Sequence, residues 1–182
     1  TLWVGTEDEG LFRSDGPRFR RLPVGDGATP FAAQALCVDR AGVVWAGTTR
    51  GGVVRMEEGG PRRFTTAEGL PNDAVFALAP HPGGGVWVGT AGGGLARIVD
   101  GRVSTADVPR LPTGQISALL ADREGSLWVG TWGRGLCRVT DRVVACRSTA
   151  TGDLPSDHVW SLHQDHEGDV WIGTWTEGLL RL

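Results

Sequence analysis

The chain has 182 residues, 40% of them apolar, enough to bury a core either as one domain or as an array of small units. A formal net charge of −3 with no block of like charge removes the electrostatic footprint of a nucleic-acid or membrane-surface binder, and no apolar run approaches the roughly 20 residues of a membrane helix. The 29 Gly and 8 Trp, set against one Met and no Tyr, suit tight turns and one aromatic anchor per unit far better than helices.

The chain opens on a strand-like segment, "TLWVGT", with no signal peptide in view, and then repeats that theme. Trp3, Trp45, Trp87, Trp128 and Trp171 follow one another at steps of 42, 42, 41 and 43. Each is followed two residues later by Gly (Gly5, Gly47, Gly89, Gly130, Gly173) and then by Thr (Thr6, Thr48, Thr90, Thr131, Thr174). A second Gly comes next (Gly10, Gly52, Gly94, Gly135, Gly178), and three residues beyond it an Arg (Arg13, Arg55, Arg97, Arg138, Arg181). A fixed period of this length decides the architecture before any other signal.

Between the repeated positions lies turn chemistry. "DRAG" at 39–42, "DREG" at 122–125 and "DHEG" at 165–168 put Asp where its side chain caps a hairpin and Gly where positive φ is wanted. "VDGR" at 99–102 carries the Asp-Gly signal of a two-residue hairpin. Over residues 111–153, "ISALLAD", "SLWVGT", "GLCRV" and "RVVACRS" read as four short strands with the two-residue period of half-buried sheet.

Four antiparallel strands per unit of about 42 residues predict an all-β protein, a β-propeller of four-stranded antiparallel blades. The expected blades are approximately 1–27, 28–69, 70–110, 111–153 and 154–182. The chain ends on "GLLRL", a third strand, so the first and last blades are incomplete and the count is 3 + 4 + 4 + 4 + 3. Residues 1–14 and 169–182 are equivalent parts of the repeat and cannot complete one shared blade. Three arrangements stay open: a five-bladed ring with two short blades, a piece of a larger ring, or chains that pair to close one. About five packed blades is the expectation. A lone small sheet leaves two apolar faces wet, and a neighbouring copy covers them. The repeated Trp is then the plug between blades, and the Gly after it lets adjacent backbone approach.

The stretches "GLPNDAVFALAPHPGGGVWVGTAGGGLARI" (69–98), "LPTGQISALLADREGSLWVGTWGRGLCRV" (111–139) and "LPSDHVWSLHQDHEGDVWIGTWTEGLLRL" (154–182) resemble the two-component regulator propeller repeat. The shared pattern is LP, then V-x-x-L-x-x-D-x-x-G, then LW-[VI]-GT, then GL-x-R. The resemblance implies an extracytoplasmic sensor portion like those of bacterial hybrid histidine kinases, which often recognise oligosaccharides. It thus implies binding rather than catalysis, no cofactor, and a periplasmic or extracellular location. The chain carries no kinase and no trailing immunoglobulin-like domain, and has fewer repeats than the family's rings usually need.

In a propeller the residues leading into each first strand and the loop between second and third strands share one face. The variable positions there are candidates to bind a ligand. After each GT come Glu7-Asp8-Glu9, Thr49-Arg50-Gly51, Ala91-Gly92-Gly93, Trp132-Gly133-Arg134 and Trp175-Thr176-Glu177. Ahead of the first strands stand Asn72 and Asp73, Gln115, and Asp157 with His158, followed by Trp160. The candidate ligand-binding set is Trp132, Trp175, Arg134, Glu177, His158, Asp157, Arg50, Gln115 and Asp73. Indole faces stack on the CH-rich faces of sugars, and charged and amide groups take directional hydrogen bonds from hydroxyls, so an oligosaccharide or other small polar ligand is the expected partner. Trp132 and Trp175 could equally cover blade ends or an inter-chain contact, with self-association through open blade edges. Trp160 has Phe76 as its counterpart, which assigns it to packing.

Catalytic signatures are weak. His163 and His166 fall in a turn, and cysteines at metal spacing are absent, so neither a catalytic residue nor a metal ligand is assigned. Streptogramin lyases, a related propeller class, use His and Glu with a divalent metal, and His158 with Glu177 is the sole comparable pair. The cysteines are more informative. If Asp141 and Arg142 form a two-residue hairpin, then Thr140 faces Val143 and Cys137 faces Cys146 at a non-hydrogen-bonded site, where Cβ atoms approach closely enough for a disulfide. That bond fits an oxidising compartment. Cys37 reads as a small buried apolar residue.

Overall fold

The computed structural model describes residues 1–22, 24, 32–105, 108, 111–112, 114–140 and 143–182. Five antiparallel sheets follow one another along the chain, each with its strands in sequence order. The first holds β1 (Trp3–Thr6), β2 (Gly10–Asp15) and β3 (Arg18–Arg21), and the second β4 (Ala33–Val38), β5 (Val44–Thr48), β6 (Val53–Arg55) and β7 (Arg62–Phe64). The third has β8 (Val75–Pro80), β9 (Val86–Thr90), β10 (Leu95–Val99) and β11 (Arg102–Thr105). The fourth has β12 (Ile116–Ala121), β13 (Leu127–Thr131), β14 (Leu136–Val139) and β15 (Val144–Arg147), and the last β16 (Val159–Gln164), β17 (Val170–Thr174) and β18 (Leu179–Arg181). The strand count is the predicted 3, 4, 4, 4 and 3. Sheets stack through their leading strands: β1 on β4, β4 on β8, β8 on β12 and β12 on β16. The architecture is that of a β-propeller, all-β, with incomplete first and last blades.

Every repeated residue now has a physical task. The indole N–H of Trp45, Trp128 and Trp171 donates to Asp39, Asp122 and Asp165 at 2.9, 2.8 and 2.7 Å. The other carboxylate oxygen of the same Asp gathers turn amides: Ala41 and Val43 on Asp39, Ser126 on Asp122, and Glu167, Gly168 and Asp169 on Asp165. On the indole's open face lies the repeat's Arg, with Arg13, Arg55, Arg138 and Arg181 centred 5.6, 5.3, 5.2 and 5.8 Å from the rings of Trp3, Trp45, Trp128 and Trp171. One carboxylate thereby folds the turn and fixes the Trp rotamer, and in the fourth blade Asp122 also pairs with the covering Arg138 at 3.6 Å.

The third blade departs from this clamp. His81 stands where the others have Asp, and its ring packs 4.7 Å from Trp87, while Arg97 turns its Nε to Ser104 at 2.9 Å. Burial and the nearby Arg97 both hold His81 below the usual imidazole range. The Thr of each GT closes the next turn: its Oγ1 donates to Gly10, Gly52, Gly94, Gly135 or Gly178 at 2.8 to 3.1 Å. At Gly52 and Gly135, with φ of 70° and 77°, a Cβ would also collide with the carbonyl oxygens of Phe64 and Arg147.

The glycine after the Trp leaves room for the next blade, and in the second, third and fourth blades the nearest group is a side chain and not the expected backbone. A Cβ at Gly47, Gly89 or Gly130 would lie 2.6, 2.5 or 2.5 Å from a γ-methyl of Val75, Ile116 or Val159, the residue that opens the next leading strand. At Gly5 a Cβ would meet both the Cβ and the carbonyl oxygen of Ala33, at 2.9 and 3.0 Å. The Trp itself is an inter-blade plug mainly in the second and fourth blades, where Trp45 and Trp128 are buried; Trp3, Trp87 and Trp171 are half-buried.

In the fourth blade β14 and β15 pair Cys137 with Cys146, and the two sulfurs are bonded. Thr140 N–H donates to Val143 at 2.9 Å, while Asp141 and Arg142, the expected turn, lie outside the described residues. Cys37 is buried, and burial followed by the charge of Asp39 pushes its thiol up to about 12. Reduction of the bridge, which closes a loop of sequence separation 9, is expected to lower stability by about 2 kcal/mol, the low end for so short a loop. Denaturant unfolding with and without a thiol reductant measures this. Superimposable curves would contradict it.

Candidate functional site

The site is built by a backbone pattern that recurs in each of the last four sheets. The first residue after GT donates its N–H to the carbonyl just ahead of the leading strand of the same sheet: Thr49 to Ala32, Ala91 to Ala74, Trp132 to Gln115 and Trp175 to His158, at 2.9 to 3.3 Å. The third blade has Ala at this position and the last two have Trp. The same loops reach forward to the following blade. Gly133 and Gly135 both donate to the Asp157 carbonyl at 3.0 Å, as Gly52 does to Asp73 at 2.9 Å.

Each leading strand also carries a bulge after its first residue, with Gln34, Phe76, Ser117 and Trp160 as the extra residues. The bulge changes the standing of Trp160, which sequence comparison with Phe76 assigned to packing. Phe76 is half-buried, whereas Trp160 is 57% exposed. Trp160 lies 5.7 Å from Trp132 and 5.1 Å from Trp175, and Trp132 lies 5.4 Å from Trp175. His158 meets Trp132 edge-on at 4.8 Å. Three indoles thus form a closed triangle across two blades, with Trp175 also 61% exposed. Aromatic pairs at these separations reinforce one another, so the cluster is held in shape while its outer faces meet water.

The other candidates divide. Arg134 and Glu177 are exposed on the same two loops, and no side-chain hydrogen bond or ion pair engages either among the described residues. Gln115 is half-buried and contributes its carbonyl to Trp132. Asp73 and Asp157 are connectors instead of free acceptors. The Asp157 carboxylate takes the Thr149 N–H and hydroxyl at 2.7 and 2.6 Å, and Asp73 takes those of Thr66 at 2.7 and 3.3 Å. The Thr149 hydroxyl, joined by its N–H, holds Asp157 below the usual carboxylate range. Arg50 lies on the β5–β6 loop, two blades from the indoles, and is not brought to them.

A three-carboxylate group lies elsewhere, in the β16–β17 turn: Asp165, Glu167 and Asp169, with ligand atoms within 4.8 Å of one another. It contains neither His158 nor Glu177. Its oxygens are already engaged, since Asp165 accepts from the Trp171 indole and Arg181 pairs with both Asp169 and Glu167. The tryptophan face therefore offers flat apolar surface, one imidazole and two free charges of opposite sign, suited to binding a hydroxylated ring. No nucleophile and base stand within reach of each other there among the described residues.

Residues 110–133 and 153–176 match the family described as the two component regulator propeller. Among solved structures, the chain resembles the extracellular domain of a hybrid two component system from B. thetaiotaomicron, at 19% identity and a TM-score of 0.79 over 94% of this chain and 24% of that one. It also resembles virginiamycin B lyase from Staphylococcus aureus (18% identity, TM-score 0.69, 99% of this chain and 68% of that one) and a streptogramin B lyase (15%, 0.70, 90% and 55%). At these identities the likeness is one of fold. The chain spans about a quarter of that extracellular domain's length. No curated protein sequence matches it. Among the described residues no helix is long and apolar enough to cross a membrane.

Proposed function

Starting from a propeller that carries two regulator-type repeats, we propose that the chain is a non-enzymatic ligand-binding module of an extracytoplasmic sensor, and that its ligand is an oligosaccharide or similar polar ring compound seated on the loop face of the last two blades. The carrying observation is the triangle of Trp132, Trp160 and Trp175, two of them more than half exposed. Indole faces recognise sugar rings without desolvating a charge, and Arg134 and Glu177 stand beside them to bond hydroxyls. The resemblance to an extracellular two component domain supports the sensor assignment and the location outside the cytoplasm. Thermal unfolding against a panel of oligosaccharides tests it. A ligand at 100 times its dissociation constant adds about 2.7 kcal/mol of apparent stability, and a Trp132→Ala, Trp175→Ala variant that still unfolds cooperatively is expected to lose that gain. No stabilisation by any sugar, or a gain that survives in the variant, would remove the site from this face.

A second reading, an interaction module that assembles with other blades or chains, is supported by Leu179, which is 64% exposed on the outer face of the last sheet. It predicts a solution mass above the 19.3 kDa of one chain. The lyase reading rests on fold likeness alone, with His158 and Glu177 as its lone pair of ligands, and it would require activity that a chelator abolishes.

A further inference from the structure

The β4–β5, β8–β9, β12–β13 and β16–β17 turns are equivalent, yet one of them lacks the anions of the other three. Asp39, Asp122 and Asp165 bond the indole N–H of their own sheets, and the fourth and fifth turns add Glu124, Glu167 and Asp169. Over the same positions the third turn reads His81-Pro82-Gly83-Gly84-Gly85, with no carboxylate. The cations are nevertheless kept. At the fifth turn Arg123 reaches over from the fourth to the His166 carbonyl beside Asp165, at 3.1 Å, and Arg181 pairs with Glu167 and Asp169. At the third turn Arg40 reaches over from the second to the Pro82 carbonyl beside His81, at 3.3 Å, and Arg97 takes the place of Arg181. Among the described residues neither Arg40 nor Arg97 has an ion pair, and no acceptor takes the Trp87 indole N–H. Arg40, Pro82, Gly83 and Arg97 are exposed, and a Cβ on Gly84 would meet nothing within 4 Å, so the turn is open to solvent.

We propose that the β8–β9 turn is a binding site for the carboxylate of a small organic acid, which supplies the anion that Asp supplies in the other turns. A carboxylate is specified because the chain's own version is one: at Asp39 and Asp165 one oxygen takes the indole N–H and the other takes turn amides. Its two coplanar oxygens also match the fork of a guanidinium. His81 makes the site responsive to pH. Its Nδ1 accepts from the Gly83 N–H at 3.0 Å, and burial, then Arg97 and Arg40, hold the ring below the usual imidazole range. The charged groups that face it are these two cations, one from β10 and one from the β4–β5 turn. A bound anion offsets both and favours the imidazolium. Protonation and binding therefore assist one another, and affinity rises as pH falls through the imidazole range. The turn precedes β9, whereas the loops of the tryptophan face follow β13 and β17, so the two sites lie at opposite ends of their strands. The inference does not rest on the ligand reading.

Sodium acetate is the probe, titrated at constant ionic strength with chloride as the balancing ion, while indole N–H and imidazole resonances are followed by NMR. The Trp87 and His81 signals are expected to shift saturably, with an affinity at about pH 5.5 at least threefold above that at about pH 7.5, on either side of the usual imidazole value. Arg97→Gln is expected to weaken binding about fivefold or more, the loss of one charge-assisted contact. His81→Asp supplies the carboxylate from the chain itself and is expected to abolish the response. If that variant does not fold, the change at exposed Arg97 decides alone. Shifts that fail to saturate, that chloride reproduces, that survive Arg97→Gln unchanged, or that are equal at the two pH values would overturn the inference. The Trp132→Ala, Trp175→Ala variant is expected to bind acetate as the parent does, so failure here and failure of sugar binding are told apart.

Discussion

Trp45→Ala is expected to destabilise the protein by about 3 to 5 kcal/mol, the range for deleting a large buried aromatic, as read from denaturant midpoints. Trp45 is 1% exposed, stacks with Phe64 at 5.9 Å, donates to Asp39 and lies under Arg55. Its loss leaves a cavity at the interface of the second and third blades and removes the hydrogen-bond partner of a buried carboxylate oxygen. The same change at Trp171, which has equivalent Asp and Arg partners on the open face, should cost no more than about half as much. Equal losses at the two positions would show that the stability comes from the local clamp and not from blade-on-blade burial.

Gly130→Val is expected to cost about 3 kcal/mol, at or above the upper end of ordinary overpacking. The new Cβ would sit 2.5 Å from a Val159 methyl and 3.2 Å from Ala118, and Val159 is fully buried with no room to withdraw. The β-propensity gained on replacing glycine offsets only part of this. At Gly173 the same substitution meets the rotatable Ser161 hydroxyl alone, and the expected change is below about 1 kcal/mol. Unfolding curves of the two variants give the comparison directly. Similar losses at both sites would mean that backbone conformation, and not the inserted side chain, requires glycine.

Much of the fold could be read because its signals are local or periodic. The 42-residue spacing of Trp, Gly, Thr and Arg predicts the blades, and two-residue alternation predicts the strands. Hairpin counting from Thr140 and Val143 pairs Cys137 with Cys146, as β14 and β15 do. What could not be read depends on side-chain contacts, within a blade as well as between blades. The Arg spacing was visible, but no pattern in one blade says that Arg138 covers Trp128 while Asp122 anchors it. Likewise nothing local distinguishes a glycine that admits backbone from one that admits Val159.

The site divides along the same line. Trp132 and Trp175 were placed by loop equivalence, and both fall in the cluster. Trp160 was assigned to packing because Phe76 is its counterpart, yet in the β16 bulge it is 57% exposed. Asp73 and Asp157 lie seven and eight residues after the threonines that consume their carboxylates. A Thr at that distance before each Asp was the available signal, an instance of local side-chain bonding to backbone competing with any ligand.

The triangle of indoles crosses a boundary: Trp132 belongs to the fourth sheet, Trp160 and Trp175 to the fifth. In an array whose units are held chiefly by their neighbours, each seam between sheets can open on its own. A ligand that grips all three rings would fasten the fifth sheet to the fourth. Opening at that seam would be suppressed and opening at the other seams left as it was. Occupancy would then be recorded as a difference in mobility between seams, without any rearrangement of the blades.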